Sequence, residues 1–360
     1  MTGKRLAILG SRGIPARYGG FETFAEEVSW RLVDAGVDVT VFCEDSGPSE
    51  YRGIALEYVP TSNLGPFSTI LFDLRSLWRA RRGYDVVYML GYGAACFCFL
   101  PRLWGAEVWI NMDGIEWQRS KWSGPAKLWF KAMEWIATRT ANRLIVDAEG
   151  IGEHMRTRHR RLPPTTMIPY GVEARAVGSL EERLEEYGLQ KDRYCLVVCR
   201  IEPENHVLEI LRGYAAIDTE VPLIVVGGLR DGDEYCDRLR SLASDKIRFL
   251  GGVYDQERLW ALRLGCRAYL HGHSVGGTNP SLLEAMAAGN AVIAHDNVFN
   301  REVLGAAGWF FAGPEDLAER AADVLALPEE EHANVADRVR KRVAQEYSWD
   351  SVCQRYLELL

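Results

Sequence analysis

Short apolar segments alternate with amphipathic segments along the whole chain. In the first half this pattern predicts strands at 6–9, 37–42, 85–90, 108–111 and 143–146, with helices at 21–35 and 125–140. The pattern then starts again, with strands at 195–199, 223–226, 247–250, 268–270 and 291–294 and helices at 207–216, 256–264 and 280–288. Strands that alternate with helices predict parallel sheets covered by helices on both faces.

The restart of the pattern divides the chain into two predicted domains. Pro169 and Gly171 interrupt an apolar stretch at 167–172, and these residue types commonly mark a boundary. We therefore predict an α/β protein with one Rossmann-like domain over 1–170 and another over 171–345. We hypothesise that a last helix, 346–360, returns to the first domain. Two doubly wound domains would form a cleft, and ligands of such sheets bind at the carboxyl ends of the strands.

Composition excludes several classes of protein. With 48% hydrophobic and 26% charged residues and no stretch of about 20 apolar residues, the chain is expected to be soluble, without a signal peptide or membrane span. Its eight cysteines form no CxxC pair, which favours reduced thiols in the cytoplasm. The net charge of −8 argues against nucleic-acid binding. Residues 1–170, however, carry 21 basic and 18 acidic side chains, which favours an anionic partner for this half.

A glycine-rich loop follows the first strand and contains Gly10, Gly13, Gly19 and Gly20. Glycines allow positive φ, and the start of the next helix offers N–H groups to an anion, so the loop is a candidate phosphate site. Two alternatives stay open. One is a tight connection that binds no ligand. The other is a dinucleotide site in which Glu44 holds a ribose, although the spacing is not G-x-G-x-x-G.

The most informative stretch follows the strand at 268–270. It reads His271-Gly-His273-Ser-Val-Gly276-Gly277-Thr278-Asn279-Pro280-Ser281-Leu-Leu-Glu284. Asn279 can cap a helix that begins with Pro280. The open backbone before it would place a diphosphate at the positive end of the helix dipole, and Glu284, one turn further, could accept hydrogen bonds from ribose hydroxyls. The alternative is a capped helix with an exposed glutamate.

This stretch resembles the donor-binding motif of retaining glycosyltransferases with the GT-B fold, E-x(7)-E followed by A-M-A-x-G. The run Arg17-Tyr18-Gly19-Gly20, the segment 168–172 and the strand end at Arg200 resemble further motifs of that family, so that the resemblance covers 6–310. Glu302 matches a residue that commonly follows the donor motif. The resemblance implies donor-binding roles for Gly19, Gly20, Arg200, Gly276, Gly277, Thr278, Asn279, Ser281, Glu284 and Glu302.

The opening loop, the segment 111–117 and the run 276–281 together resemble bacterial polysaccharide rhamnosyltransferases. That resemblance implies transfer of L-rhamnose from dTDP-rhamnose onto a lipid-linked or glycan acceptor. Two departures leave other donors open, such as UDP-glucose or GDP-mannose, and also a catalytically silent nucleotide-sugar-binding subunit. Gly276 stands where the first glutamate of the motif would fall, and Asn205-His206 replaces an expected lysine.

Asp113 and Glu116 follow the strand at 108–111 and are the candidate catalytic residues. A carboxylate there could act as general base toward the acceptor or could position the donor sugar. Asp113 could instead be a turn residue before Gly114, and two carboxylates could also serve a glycosidase. No Asp-x-Asp triplet lies at a strand end facing the proposed phosphate loops, so we expect no metal or other cofactor.

Aromatic and basic residues are interleaved over 117–143. They are Trp117, Trp122, Trp129, Phe130 and Trp135, with Arg119, Lys121, Lys127, Lys131, Arg139 and Arg143. This mixture suits a surface that meets anionic lipid headgroups, and the basic run at 156–161 adds to it. We therefore hypothesise a peripheral contact with the inner face of the plasma membrane. The alternative is a core-facing aromatic stripe with solvated lysines.

Overall fold

Short buried strands joined by helices build both halves of the protein, as the sequence pattern predicts. The computed structural model describes residues 3–16, 19–61, 65, 67–119 and 122–360. It divides into a first unit, Met1–Gly171 with Trp349–Leu360, and a second unit, Val172–Ser348. Each unit has a largely parallel sheet in its described part. The predicted fold class, a pair of Rossmann-like α/β domains, is confirmed.

The first unit contains an eight-stranded sheet in its described part. The strands are β1 Arg5–Leu9, β2 Asp38–Cys43, β3 Glu50–Tyr51, β4 Ile54–Tyr58, β5 Val86–Met89, β6 Glu107–Asn111, β7 Arg143–Val146 and β8 Thr165–Met167. The helices are α1 Gly20–Asp34, α2 Phe67–Arg79, α3 Phe99–Arg102, α4 Gly124–Thr140, α5 Glu149–Arg158 and α14 Trp349–Leu359. The strand order is β3-β4-β2-β1-β5-β6-β7-β8, and only β3 runs antiparallel to its neighbour. All of β5 is buried, which requires cover on both faces of the sheet.

The last helix, α14, packs inside the first unit against α1. The Phe24 ring of α1 lies 6.2 Å from the Trp349 ring and 5.8 Å from the Tyr356 ring, measured between centroids. The Tyr356 hydroxyl is 2.9 Å from the Tyr88 hydroxyl of β5. Gly171 leaves room for the Trp349 ring, with which any Cβ at that position would clash. The chain therefore returns to the core of its first unit after the second unit is complete.

The second unit contains a six-stranded parallel sheet. Its strands are β9 Cys195–Val198, β10 Leu223–Val226, β11 Ile247–Gly251, β12 Ala268–His271, β13 Ala291–His295 and β14 Trp309–Phe311. Its helices are α6 Leu180–Glu185, α7 Val207–Ala216, α8 Glu234–Arg240, α9 Gln256–Gly265, α10 Pro280–Ala288, α11 Val298–Leu304, α12 Pro314–Leu325 and α13 Glu329–Arg342. The strand order is β11-β10-β9-β12-β13-β14.

Each sheet has a point where the chain changes the side on which it adds strands. In the first sheet this point lies between β1 and β5, and in the second it lies between β9 and β12. Doubly wound sheets bind ligands at the carboxyl ends of their strands, at such switch points. A ligand site is therefore expected at the loops that follow β1, β5, β9 and β12.

The aromatic residues of segment 117–143 divide between the interior and the surface of the first unit. Trp117 and Trp122 are half-buried, whereas Trp129 and Trp135 are 38% and 50% exposed. Helix α4 therefore turns one face to the unit and another to solvent. Among the described helices, none is long and apolar enough to cross a membrane.

Candidate functional site

The glycine loop after β1 adopts conformations that side chains disfavour. Gly10 has φ +88°, and a Cβ there would clash with the backbone of Leu90 at the end of β5. Gly19 has φ +119°, and Gly20 begins α1 with open space around it. The glycines thus let the loop cross the end of β5 closely and turn into the helix. Arg17 and Tyr18, part of the predicted motif, lie outside the described residues.

Two backbone donors of this loop are satisfied by acidic side chains of α1. The N–H of Arg12 donates to Glu22 Oε1 at 2.9 Å, and the N–H of Ala16 donates to Glu26 Oε2 at 2.6 Å. An anion bound there would have to displace the Glu22 and Glu26 carboxylates from these N–H groups, and it would be repelled by their negative charge. This arrangement favours the tight connection over a phosphate site at this part of the loop, and leaves Gly19 and Gly20 as the accessible glycines.

The two candidate carboxylates after β6 have different surroundings. The Glu116 carboxylate lies 2.8 Å from Arg119 Nε and accepts a hydrogen bond from Trp122 Nε1 at 3.0 Å. Its side chain is 17% exposed. Asp113 is half-buried and precedes Gly114, which has φ +66°. Glu116 is therefore held by partners of its own segment.

Three loops of the second unit are tied together at the carboxyl edge of its sheet. They follow β9, β12 and β13. Arg200 and His273 lie in the first two loops, and Asn300 lies in the first turn of α11, just after the third. Asn205 Oδ1 lies 2.7 Å from His273 Nδ1, and the carbonyl of His273 accepts a hydrogen bond from Asn300 Nδ2 at 2.9 Å. Gly272 allows the close approach, because any Cβ there would overlap the Asn205 carbonyl. The loops on either side of the switch point therefore form one connected wall.

Arg200 stands exposed at the end of β9 on this wall. Its carbonyl accepts a hydrogen bond from Asn205 Nδ2 at 2.7 Å, which fixes the turn that follows. Asn205, which replaces the expected lysine, is buried and joins its own loop to the loop after β12 through His273. The position thus serves the structure of the wall, and Arg200 is the cation that this turn presents to solvent.

The glycine loop after β12 leads directly into α10. Asn279 caps the helix, since its Oδ1 accepts the N–H of Ser281 at 2.9 Å, and Pro280 is the first helical residue, both as expected. Gly276 has φ +119° and Thr278 is buried. The loop therefore brings glycine backbone to the positive end of the α10 dipole, where an anion is stabilised.

Behind this loop lies a buried arginine that the sequence analysis did not identify. Arg263 of α9 is 1% exposed, and its Nη2 lies 2.5 Å from Glu284 Oε2 and 3.3 Å from Ser281 Oγ. Ser281 Oγ also lies 2.7 Å from the Tyr269 hydroxyl. The side chains of Ser281 and Glu284, expected to meet the donor, thus have partners within the unit. The signal for Arg263 is a charged residue within the apolar run 259–264.

Two histidines at this edge were also missed. The rings of His206 and His295 stack 3.9 Å apart, with an interplanar angle of 15°. His206 Nε2 lies 3.0 Å from Ser274 Oγ, which joins the loops after β9 and β12. Burial lowers the pKa of His295 to about 4 and the pKa of His271 to about 3. The rings of His271 and His295 are therefore neutral near pH 7 and provide no positive charge to a phosphate.

The last candidate, Glu302, lies half-buried within α11 rather than on a loop. Its carbonyl accepts a hydrogen bond from Arg342 Nη2 at 2.7 Å. Among the described residues no group of three His, Cys, Asp or Glu side chains is arranged to hold a metal ion. Of the predicted second-unit residues, the structure brings Arg200, the loop 276–279 and Glu284 to one edge of the sheet.

Two family models each match one part of the chain. Residues 3–173 match a family model described as a domain of unknown function, DUF1972. Residues 181–342 match the family model for glycosyl transferases group 1. The second match contains Arg200, the glycine loop, Glu284 and Glu302, so every candidate residue of the second unit lies within it.

Similar proteins are found among both sequences and structures. Over 149 residues the chain is 32% identical to phosphatidyl-myo-inositol mannosyltransferase of Mycolicibacterium smegmatis. This match covers 39% of this chain and 36% of that relative. Sucrose-phosphate synthase of Thermosynechococcus elongatus has a TM-score of 0.82 at 16% identity, over 99% of this chain and 98% of its own. Anabaena HepE, in complex with UDP and glucose, has a TM-score of 0.78 at 17% identity, over 99% and 98%.

The chain shares the GT-B fold of these solved structures. Within that fold, the second unit carries the sequence signature of the group 1 glycosyl transferases. The curated relative is matched over about a third of its length, so its activity and substrate are properties of that protein alone.

Proposed function

We propose that the protein is a glycosyltransferase that moves a sugar from a nucleotide-sugar donor onto an acceptor. The observation that carries this proposal is the position of the loop 276–278, at the N-terminal end of α10 and next to the loop that carries Arg200. Backbone N–H groups at a helix N-terminus, a helix dipole and a guanidinium suit the diphosphate of such a donor. The group 1 match over 181–342 supports the same assignment.

The reaction is proposed to retain the configuration of the sugar, with L-rhamnose from dTDP-rhamnose as the best single donor. The resemblance of the opening loop, segment 111–117 and run 276–281 to polysaccharide rhamnosyltransferases supports this choice. UDP-glucose and GDP-mannose are the alternatives. One structural relative was solved with UDP-glucose, and the partial curated relative is a mannosyltransferase.

A panel of nucleotide sugars in a thermal-shift assay tests the donor. A ligand that binds only the folded state raises the apparent stability in proportion to the logarithm of its concentration over its dissociation constant. We expect dTDP-rhamnose to give the largest shift at equal concentration. A larger shift with UDP-glucose or GDP-mannose would replace the donor and leave the reaction class intact.

A nucleotide-sugar-binding subunit without activity is the second candidate. It is favoured by Gly276, which provides no side chain where the family motif has a glutamate, and by Glu284, which pairs with Arg263. Release of free nucleotide from donor plus acceptor separates the two candidates. Donor binding without nucleotide release, for every acceptor offered, would favour the subunit.

The acceptor is proposed to be lipid-linked or a growing glycan of a bacterial cell-surface polysaccharide. This assignment rests on the resemblance to rhamnosyltransferases and on the surplus of basic residues in 1–170. The protein would then work in the cytoplasm at the inner face of the plasma membrane, as a peripheral protein without a nucleic-acid partner.

Glycosyl transfer is expected to need no metal ion. Arg200 and the N-terminal end of α10 can neutralise a diphosphate without a cation. The triplet Asp231-Gly-Asp233 follows β10, but its side chains are engaged locally, because Asp233 caps α8 and pairs with Arg230 at 2.9 Å. Turnover measured in excess EDTA should equal turnover in buffer. Loss of activity that magnesium restores would contradict this prediction.

Replacing Arg200 by alanine should weaken donor binding by about 1.5–3 kcal/mol, the range for a charge-assisted hydrogen bond. Within the described part of the chain its exposed side chain makes no hydrogen bond or ion pair, so the melting temperature of the empty protein should stay unchanged. Titration calorimetry with the nucleotide sugar measures the effect. Arg212→Ala, an exposed arginine on α7, is the matched control. Equal affinity in Arg200→Ala and wild type would remove Arg200 from the site.

A further inference from the structure

One face of helix α4 presents large apolar side chains to solvent. Leu128 is 70% exposed and Trp135 is 50% exposed. Their spacing of two helical turns puts them on the same side of the helix, away from the buried Met133 and Ala137. Arg139, one turn further, lies with its guanidinium carbon 3.5 Å from the centroid of the Trp135 ring. The exposed face of α4 is therefore both aromatic and basic.

A second exposed aromatic pair adjoins this face. Trp78 and Trp104 are 51% and 42% exposed, with ring centroids 6.4 Å apart. The Arg81 guanidinium lies over both rings, at 4.1 and 5.7 Å. Arg102 of α3 donates a hydrogen bond at 3.1 Å to the carbonyl of Arg139, which joins this region to the end of α4. Both aromatic groups therefore belong to one part of the surface of the first unit.

A basic pocket of about 610 Å³ lies at the end of α4 beside the segment that follows α5. Its lining consists of Trp135, Arg139, Arg158, His159, Arg160 and Arg161. The exposed indole forms the apolar side of this pocket, and four arginines form the remainder with one histidine. The volume lies within the range of small-ligand sites and is sufficient for a phosphate group with its substituent.

One of these arginines is balanced by a buried carboxylate. Glu134 is 2% exposed, and its Oε1 lies 2.8 Å from Arg158 Nε and 2.9 Å from His159 Nε2. Burial alone would raise the pKa of Glu134, but hydrogen bonds from His154, Trp117 and His159 lower it to about 2. Glu134 is therefore ionised at neutral pH and holds Arg158 and His159 in place.

The other three arginines carry unbalanced charge. Within the described part of the chain, Arg139, Arg160 and Arg161 form no ion pair with a carboxylate. The nearest acids on α5, Glu149 and Glu153, pair with Arg156 at 3.4 and 3.1 Å. The pocket therefore offers about three positive charges to a ligand, which selects for an anion.

We propose that this aromatic–basic surface, defined by Trp78, Trp104, Trp135, Arg139, Arg160 and Arg161, docks on a membrane that contains anionic phospholipid. The arginine pocket takes the phosphate of one lipid, because guanidinium groups match phosphate oxygens in shape and charge. The tryptophans lie at the level of the headgroups, where one side of the ring is wet and the other apolar. This surface would make the peripheral membrane contact of the proposed function, but its binding to lipid does not depend on glycosyl transfer.

The combination of charge and apolar exposure favours a lipid surface over a nucleic acid. Leu103 and Leu128 are 66% and 70% exposed. Transfer of these side chains from water to an apolar phase lowers the free energy of the system. A bilayer with anionic headgroups satisfies both the arginines and the exposed leucines and tryptophans.

Vesicle co-sedimentation of the full chain, without donor or acceptor, tests the proposal. The probes are phosphatidylcholine vesicles with and without phosphatidylglycerol. Wild type should bind the mixed vesicles and lose binding in high salt. Arg160→Glu/Arg161→Glu should weaken binding by about 30-fold or more, since each arginine near an anionic surface contributes about 1 kcal/mol. Trp135→Ala should weaken binding several-fold even at constant charge.

Arg338→Glu/Lys341→Glu, two exposed cations on α13 of the second unit, is the control matched in net charge. It should bind mixed vesicles like wild type. Equal vesicle binding by both double variants would overturn the proposal, as would wild-type binding to an RNA oligomer or to inorganic phosphate but not to vesicles. Donor affinity by calorimetry is measured on the same variants. Normal donor affinity with lost vesicle binding separates this proposal from the proposed function.

Discussion

Replacing Glu284 by glutamine should lower the free energy of unfolding of the second unit by about 3 kcal/mol, the usual scale for breaking a buried ion pair. Glu284 Oε2 lies 2.5 Å from Arg263 Nη2, and the Arg263 side chain is 1% exposed. Within the described structure, Nε and Nη1 of Arg263 have no hydrogen-bond partner. Glutamine would leave this buried cation without a counter-charge, and a lone buried charge is strongly unfavourable.

Thermal and urea unfolding of the empty protein measure this effect, with an expected loss of roughly 6–12 °C in melting temperature. Glu330→Gln, an exposed acid on α13, is the matched control and should change stability by less than about 0.5 kcal/mol. The pair Arg263→Met/Glu284→Met should recover most of the loss, because it removes both charges together. A normal melting temperature with weakened donor binding would contradict the structural role and return Glu284 to a purely ligand-binding role.

This expectation reverses the one that the sequence pattern favours. In the sequence, Glu284 stands one turn into a capped helix and has no visible partner, so its loss would affect only ribose binding. Arg263 lies 21 positions earlier on another helix, and only the packing of α9 against α10 brings the two together. Local patterns identify a polar position near a site, but they cannot tell whether its partner is a ligand or another side chain.

The fold was predictable because its strands and helices repeat a simple hydrophobic pattern. Helices α7 and α10 and strands β7 and β10 have the predicted bounds, since each is a compact apolar run bounded by polar residues, Gly or Pro. The two-residue strand β3 was missed because it is too short to show an alternation. The contact of α14 with Phe24 joins residues more than 300 positions apart, and no local signal encodes it.

The donor loop was predictable for a different reason. Capping and glycine conformation are local properties, and Asn279, Pro280 and Gly276 behave in the structure as their residue types require. The stack of His206 on His295 and the burial of Asn205 depend on neighbouring strands and were therefore not visible. Residues that hold loops together from different strands are the part of a site that a single sequence conceals.

The two carboxylates after β6 illustrate the same limit. Sequence spacing treats Asp113 and Glu116 alike, because both follow the strand closely. The structure gives Glu116 an arginine and an indole as partners, and places it in a single turn of 3-10 helix, Glu116–Gln118. These contacts give Glu116 a structural role. The first test of the proposed base is therefore made at Asp113.

Replacing Asp113 by asparagine should lower turnover by about 100-fold or more, the scale of a lost acid–base group. Asparagine keeps the shape of the side chain and its tolerance for the turn before Gly114, but removes the charge. If Asp113 takes the acceptor proton or stabilises charge at the reacting sugar, it contributes more to the transition state than to the bound ground state. Donor affinity should therefore change by less than about tenfold.

Single-turnover kinetics with saturating donor, together with calorimetry for donor binding, separate these two quantities. Glu116→Gln is the matched control, and it should lower the melting temperature through the loss of the Arg119 pair while retaining turnover in the folded fraction. Turnover near wild type in Asp113→Asn would show that Asp113 is only a turn residue. Loss of turnover in Glu116→Gln alone would instead make Glu116 the proton acceptor. Wild-type turnover in both variants would leave the donor phosphate as the base, because no other carboxylate of segment 111–117 would then remain.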